Sequence, residues 1–196
     1  MNEMISKMDV YIQKEVKEKA VRIFLLTFLL LIPGIFIKTI VLLFLSASFI
    51  VYDIRHQNAE LLYFLPFSRK ELFFYNLILL SLIVIATSNI SAIFVGITLI
   101  DKLKIILQSL ILLFAIFGLQ MTFSGFEMDG LVWSVLIVLL DMIFGYIGSP
   151  NINSALFNPY SLVSFTRQGN LVLSFIYSSL ISFLGYWSYV IKGGEN

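Results

Sequence analysis

Polar side chains are scarce enough in this sequence that each cluster of them can be read for chemistry. Between the amino terminus and residue 100, the long run of mixed polar residues is Asp53 to Leu72: Asp-Ile-Arg-His-Gln-Asn-Ala-Glu-Leu-Leu-Tyr-Phe-Leu-Pro-Phe-Ser-Arg-Lys-Glu-Leu. Its polar positions sit at both ends, and Leu61, Leu62, Phe64 and Leu65 form an apolar stripe between them, the pattern of a short helix on a membrane surface. This stretch is taken as the candidate functional element. Ser68-Arg69-Lys70-Glu71 fits a capping box, in which the Ser68 hydroxyl accepts from the Glu71 amide and the Glu71 carboxylate reaches back, with Phe67 and Leu72 as the staple. Pro66 biases Leu65 away from helical dihedrals, so a short helix over residues 58–64 must stop before a long one starts at Ser68.

Asp141 stands alone as a carboxylate deep in an apolar run, where centring it costs on the order of 2.5 to 3.5 kcal/mol. Two readings stay open for it: a place on a translocation path, or a structural aspartate bonded to serine, threonine, asparagine or glutamine nearby. Thr87, Ser88, Asn89 and Ser91 form a polar patch inside another apolar run; Asn89 is the candidate there for lining a pathway, against plain interhelical hydrogen bonding. No Gly-Lys-Ser or Gly-Lys-Thr phosphate-binding loop occurs, so this chain is not expected to hydrolyse ATP itself. With His56 as the single histidine and no cysteine, no metal site is expected.

The elements that must position these residues are membrane helices. Of 196 residues, 59% are hydrophobic and 13% charged, and the mean hydropathy is +0.96. A span needs about 20 residues, so five or six spans leave almost nothing for a soluble domain. The expected class is an all-α integral membrane protein. The net charge of +1 gives no field to attract nucleic acid. A cleavable signal peptide is not expected, because the basic region before Val21 is long and the apolar run continues well beyond a signal core.

Residues 1–20 place Ile5, Met8, Ile12 and Val16 three or four apart among lysines, with Glu15 paired to Lys19, which predicts an interfacial amphipathic helix. Residues 21–52 are interrupted by Pro33-Gly34 and read as a hairpin of two short spans, turning over residues 33–39 with Lys38 snorkelling outward. A cytoplasmic segment at 53–71 follows. Spans three, four and five are expected at 72–100, 105–123 and 131–147, a polar re-entrant or interfacial segment at 148–170, and a sixth span at 171–191. In this arrangement Lys7, Lys14, Lys17, Lys19, Arg22, Arg55, Arg69, Lys70 and Lys192 lie inside, and Lys38, Lys102, Lys104 and Arg167 outside. A five-span alternative has nearly the same bias and strands Lys38 in the membrane.

An acidic residue closing the second span, a short helix, and Leu65-Pro66-Phe67-Ser68-Arg69-Lys70-Glu71 opening the third resemble the ABC-2 type permeases, the membrane subunits of ABC exporters. Asp53, Leu65, Pro66, Ser68 and Arg69 match the motif of that family. The resemblance implies a cytoplasmic coupling helix docking on an ATPase subunit, through these residues and through Arg55, Asn58, Glu60, Leu61 and Glu71 around them. It also implies cytosolic ABC ATPase subunits that carry the ATP and Mg, a second permease (another copy or a related chain) in the same bilayer, no cofactor on this chain, and both termini in the cytoplasm of a plasma-membrane protein. Two departures stand out. The first hairpin is short for the family, and Tyr75 and Asn76 occupy the region where a lysine or tyrosine often follows the Ser-Arg pair. The expected function is export driven by a partner's ATP hydrolysis, and the alternative is an ATPase-independent immunity or accessory protein. An intramembrane enzyme is the weakest reading, because Asp141 has no paired catalytic group.

Overall fold

The structure, a computed structural model, describes residues 2–51, 67–95 and 98–192. Seven α-helices order these residues: α1 (Asn2–Leu29), α2 (Ile35–Ser46), α3 (Arg69–Val95), α4 (Leu99–Gly125), α5 (Gly130–Tyr146), a single turn α6 (Tyr160–Val163) and α7 (Leu171–Tyr186). Helices α2 and α7 run on as π-helical turns over Ala47–Val51 and Trp187–Ile191. Among the described residues the nearest thing to a strand is an isolated bridge between Ser149 and Phe157.

Among the described residues, three helices are long and apolar enough to cross a membrane: Arg69–Ile93, Leu99–Gly125 and Leu171–Ile191. The last, with 21 residues, rises about 32 Å, close to the roughly 30 Å of a hydrocarbon core. Ile35–Phe49 and Gly130–Tyr146 are shorter apolar helices. Side-chain polarity is sorted as a hydrocarbon solvent sorts it. Phe24, Phe28, Leu82, Ile93, Leu139, Ile143, Leu180 and Phe183 point outward and are exposed, while Ser46, Asn76, Ser88, Ser109, Gln120, Ser134, Ser174 and Ser188 are buried.

Start and stop signals explain most boundaries. Asp129 caps α5 by accepting from the amides of Leu131 and Val132, both at 3.1 Å, and Asn170 caps α7 through Val172 and Leu173. Thr98 caps α4 and exchanges hydrogen bonds with Asp101. For that reason Asp101 to Lys104, expected as a loop, form the opening turns of α4. Lys19 carries non-helical dihedrals, so α1 is kinked where its amphipathic half gives way to its apolar half.

Helix α4 is the most buried of the three long helices, and α7 lies directly against it. A Cβ added to Gly118 would stand 2.6 Å from the Ser182 backbone, and one added to Gly185 would stand 2.5 Å from the Gly118 carbonyl. Only glycine permits so close an approach, as small residues generally do between membrane helices. At the end where α3 starts, Phe73 meets Tyr186 edge to face at 5.5 Å. Replacing Gly118 by leucine should therefore force α4 and α7 apart and destabilise the bundle by about 3 kcal/mol or more, read as a lowered unfolding midpoint of the purified protein. An exposed control on the outer face of α7, Leu180→Ala, should leave the midpoint within about 1 °C of the parent.

Candidate functional site

The first polar centre surrounds the start of α3. Ser68 and Glu71 form the expected capping box: the Ser68 amide donates to Glu71 Oε2 at 2.8 Å, the Ser68 hydroxyl to the same oxygen at 3.0 Å, and the Glu71 amide to Ser68 Oγ at 3.2 Å. The amphipathic half of α1 lies against this corner. Lys7 reaches Glu71 Oε1 at 3.6 Å, and the fully buried Tyr11 hydroxyl donates to Asn76 Oδ1 at 3.0 Å. Phe67 and Tyr75 pack their rings on Tyr11 at 6.0 and 6.1 Å. Further along α1, Glu15 is enclosed and paired with Lys19 at 2.8 Å, whose Nζ also faces the Phe49 carbonyl at the end of α2. Tyr75 and Asn76 are thus two of the side chains that seat the amino-terminal helix. Arg69 is the first residue of α3. Asp53, Arg55, Asn58, Glu60, Leu61, Leu65 and Pro66 lie outside the described residues, as do His56 and the helix expected over 58–64.

The second polar centre is built on Asp141, 2% exposed in α5. Its Oδ1 accepts from the Tyr160 hydroxyl. Its Oδ2 accepts from the Ser164 hydroxyl at 2.8 Å, the Thr166 hydroxyl at 2.6 Å and the Thr166 amide at 3.0 Å. All four donors come from residues 160–166, the segment between α5 and α7. Burial first, and then the hydrogen bond to Asp141, push the Tyr160 hydroxyl up in pKa, which keeps it protonated and donating. The same segment is fastened at other points. Asn158 donates to the Phe144 and Ile147 carbonyls at the end of α5 at 2.7 and 2.6 Å. Gln168, in a left-handed conformation at φ 55°, donates to the Gln108 carbonyl of α4 at 3.0 Å. The Ser174 hydroxyl of α7 returns to the carbonyls of Leu162 and Ser164. Gly145 has no room for a Cβ, which would meet Ser164 Oγ at 2.5 Å.

Of the two pathway candidates, Asn89 is half-buried and bonds within its own helix, donating to the Ile85 carbonyl at 2.7 Å. Its neighbours Ser88 and Ser91 are buried instead. Lys38, expected to snorkel outward from a turn, is 6% exposed inside α2. The turn is tighter than the sequence implied: Gly34 adopts φ 140°, reversing the chain at once, so α2 begins at Ile35 and carries Lys38 into the bundle. Gln120 on α4 was not singled out from sequence; it donates to the Leu43 carbonyl at 2.9 Å and accepts from Ser46 at 2.8 Å, just where α2 changes to π-helical pitch. Among the described residues, no three histidine or acidic side chains gather as metal ligands would.

No family model, no curated protein and no solved structure matches this chain.

The Asp141 centre has a direct test. Asp141→Ala leaves four donors without their acceptor and should cost about 3 kcal/mol or more. Hydrogen exchange should rise across residues 157–168 while the cores of α3 and α4 stay protected. Asp141→Asn keeps an acceptor and should fall between the parent and the alanine variant on both readouts.

Proposed function

We propose that this chain is the membrane subunit of an ABC exporter, forming the conduit and gate while separate ATPase subunits hydrolyse ATP. The observation that carries the proposal is the corner at Ser68 to Glu71. It is capped on itself, tied to α1 through Lys7 and Tyr11, and continuous with α3, a helix long enough to span. A load delivered just before Ser68 would tilt α3 and carry the amino-terminal helix with it, because no soft joint separates them among the described residues. That mechanical unit stands at the point where the sequence resembles the coupling segment of ABC-2 permeases.

In this reading the chain crosses the membrane six times: the apolar half of α1, α2, α3, α4, α5 and α7. The short α2 and α5, at about 26 Å or less with their extensions, require a locally thinned bilayer. Both termini and the corner face the cytoplasm, and the segment anchored by Asp141 faces outward. ATP-driven closure of two ATPase subunits would press residues 58–64, through Arg55, Asn58, Glu60 and Leu61, and tilt α3 in this chain and in a second permease across the dimer. Asp141 then acts by position, holding the outer segment as a plug that the tilting bundle opens against. No capture domain is needed for a substrate taken from the cytosol or the inner leaflet.

The test is association. Purified by an affinity tag from the membranes of its own cells, the chain should retain a Walker-type ATPase, identified by mass spectrometry. Replacing residues 58–64 by glycine and serine should abolish that retention without lowering the amount of chain in the membrane. Charge reversal at Glu60 or Arg55 should weaken it at least tenfold or uncouple hydrolysis from export. Undiminished retention by the Gly-Ser variant would overturn the coupling role.

A further inference from the structure

Lys38 is another charge enclosed by the bundle, 6% exposed, and its surroundings differ in kind from those of Asp141. Its Nζ donates to Ser109 Oγ at 3.0 Å. That hydroxyl donates in turn to the Ile105 carbonyl at 2.8 Å and accepts from Ser88 Oγ at 3.1 Å. One proton and two lone pairs are thereby all assigned, so Ser109 has nothing further to offer and Lys38 keeps two N–H groups unmatched. Lys38 forms no ion pair among the described residues, and the buried carboxylate of Asp141 is committed to its own four donors.

A cavity of about 130 Å³ adjoins the lysine, lined by Lys38, Ser91, Gln108 and Ser109 with Pro33 and Gly34 at the α1–α2 turn. The Ser91 hydroxyl and the Gln108 side-chain amide are engaged with no other described residue. A buried lysine with spare donors stands beside a cavity that carries two further polar side chains and, among the described residues, no anion, so a counter-charge from outside the chain would let the ammonium stay charged there. We infer that this cavity binds one carboxylate, neutralised by Lys38 and hydrogen-bonded by Ser91 and Gln108.

Charge and acceptors together select the class. A monoanion balances the single lysine, a carboxylate brings two acceptor oxygens for the spare donors of Lys38 and for Ser91 and Gln108, and a phosphate dianion would leave a negative charge in an apolar bundle. Size agrees, since the volume is that of about four waters, enough for a carboxylate with a short carbon stem. The carboxylate has two sources, a small aqueous acid or the head of a fatty acid from the bilayer. Neither involves residues 53–66, so the inference is independent of the ATPase reading.

The test is the unfolding midpoint of the full chain in nanodiscs, with chloride replaced stepwise by acetate at constant ionic strength, and with decanoate added in a parallel series. The midpoint should rise with either probe, and inorganic phosphate should not reproduce the rise. In Lys38→Met the dependence should vanish. Gln108→Leu, should the lysine variant fail to fold, should keep the parent's midpoint without probe and need about fivefold more of it for the same rise, the weight of one hydrogen bond. A response to decanoate at concentrations tenfold below acetate assigns the site to a bilayer fatty acid, and equal response assigns it to an aqueous acid. Absence of any carboxylate dependence in the parent, a dependence that both variants retain, or a stronger response to phosphate would overturn the inference.

Discussion

Inside a hydrocarbon solvent every polar group must find its partner within the protein, and in this bundle that constraint is sharpest at one carboxylate. Asp141 is buried in α5 and collects four hydrogen bonds from residues 160–166. The segment between α5 and α7 has only one helical turn of its own, so side chains join its local backbone hydrogen bonds in setting its path. Asp141 fixes its middle, Asn158 ties its entrance to the end of α5, and Gln168 and Ser174 tie its exit to α4 and α7. Remove the carboxylate and the segment loses the point on which its turns converge.

The same constraint organises the rest of the bundle with smaller groups. Ser46 and Gln120 join α2 to α4, and Ser88, Ser109 and Lys38 join α3, α4 and α2. Where no polar bond is made, glycines let backbones touch, as at Gly118 and Gly185. Asp141 and Lys38, neither in an ion pair among the described residues, are handled differently. Asp141 is satisfied by the chain itself, whereas Lys38 has one protein acceptor and a cavity. That contrast separates a structural anchor from a site with capacity for a ligand. At the opposite end of the bundle, polar contacts serve another purpose: Lys7, Tyr11, Glu71 and Asn76 bind the amino-terminal helix to the capped start of α3 and make one unit of two elements.

Much of this was legible in the sequence where the signal is local. The Ser68–Glu71 box, the Glu15–Lys19 pair and the change of character in α1 near residue 20 depend on neighbours three or four residues apart, and each has the expected form. Partnerships across the fold were not legible. Asp141 meets residues 19 to 25 positions away, and Tyr11 meets Asn76 at a separation of 65. Periodicity cannot choose such a partner. A usable signal was nonetheless present, because an isolated carboxylate in an apolar run needs donors and the residues from Asn158 to Gln168 are rich in them. Lys38 was misplaced for a related reason: Pro33-Gly34 announces a turn but not its length, and one residue with φ 140° decided whether the lysine lay in the turn or in the helix.

An exporter subunit of the proposed kind has its clamped corner and its Asp141-anchored segment on opposite faces of a membrane. The chain has no cysteine, so a single introduced thiol reports one position without further engineering. Lys70→Cys, beside the capping box, and Asn153→Cys, in the exposed part of the anchored segment, should be treated in intact cells with a membrane-impermeant maleimide. The account predicts that Asn153→Cys is labelled at once and that Lys70→Cys is labelled only after the membrane is opened. Labelling of both from the same side would contradict it.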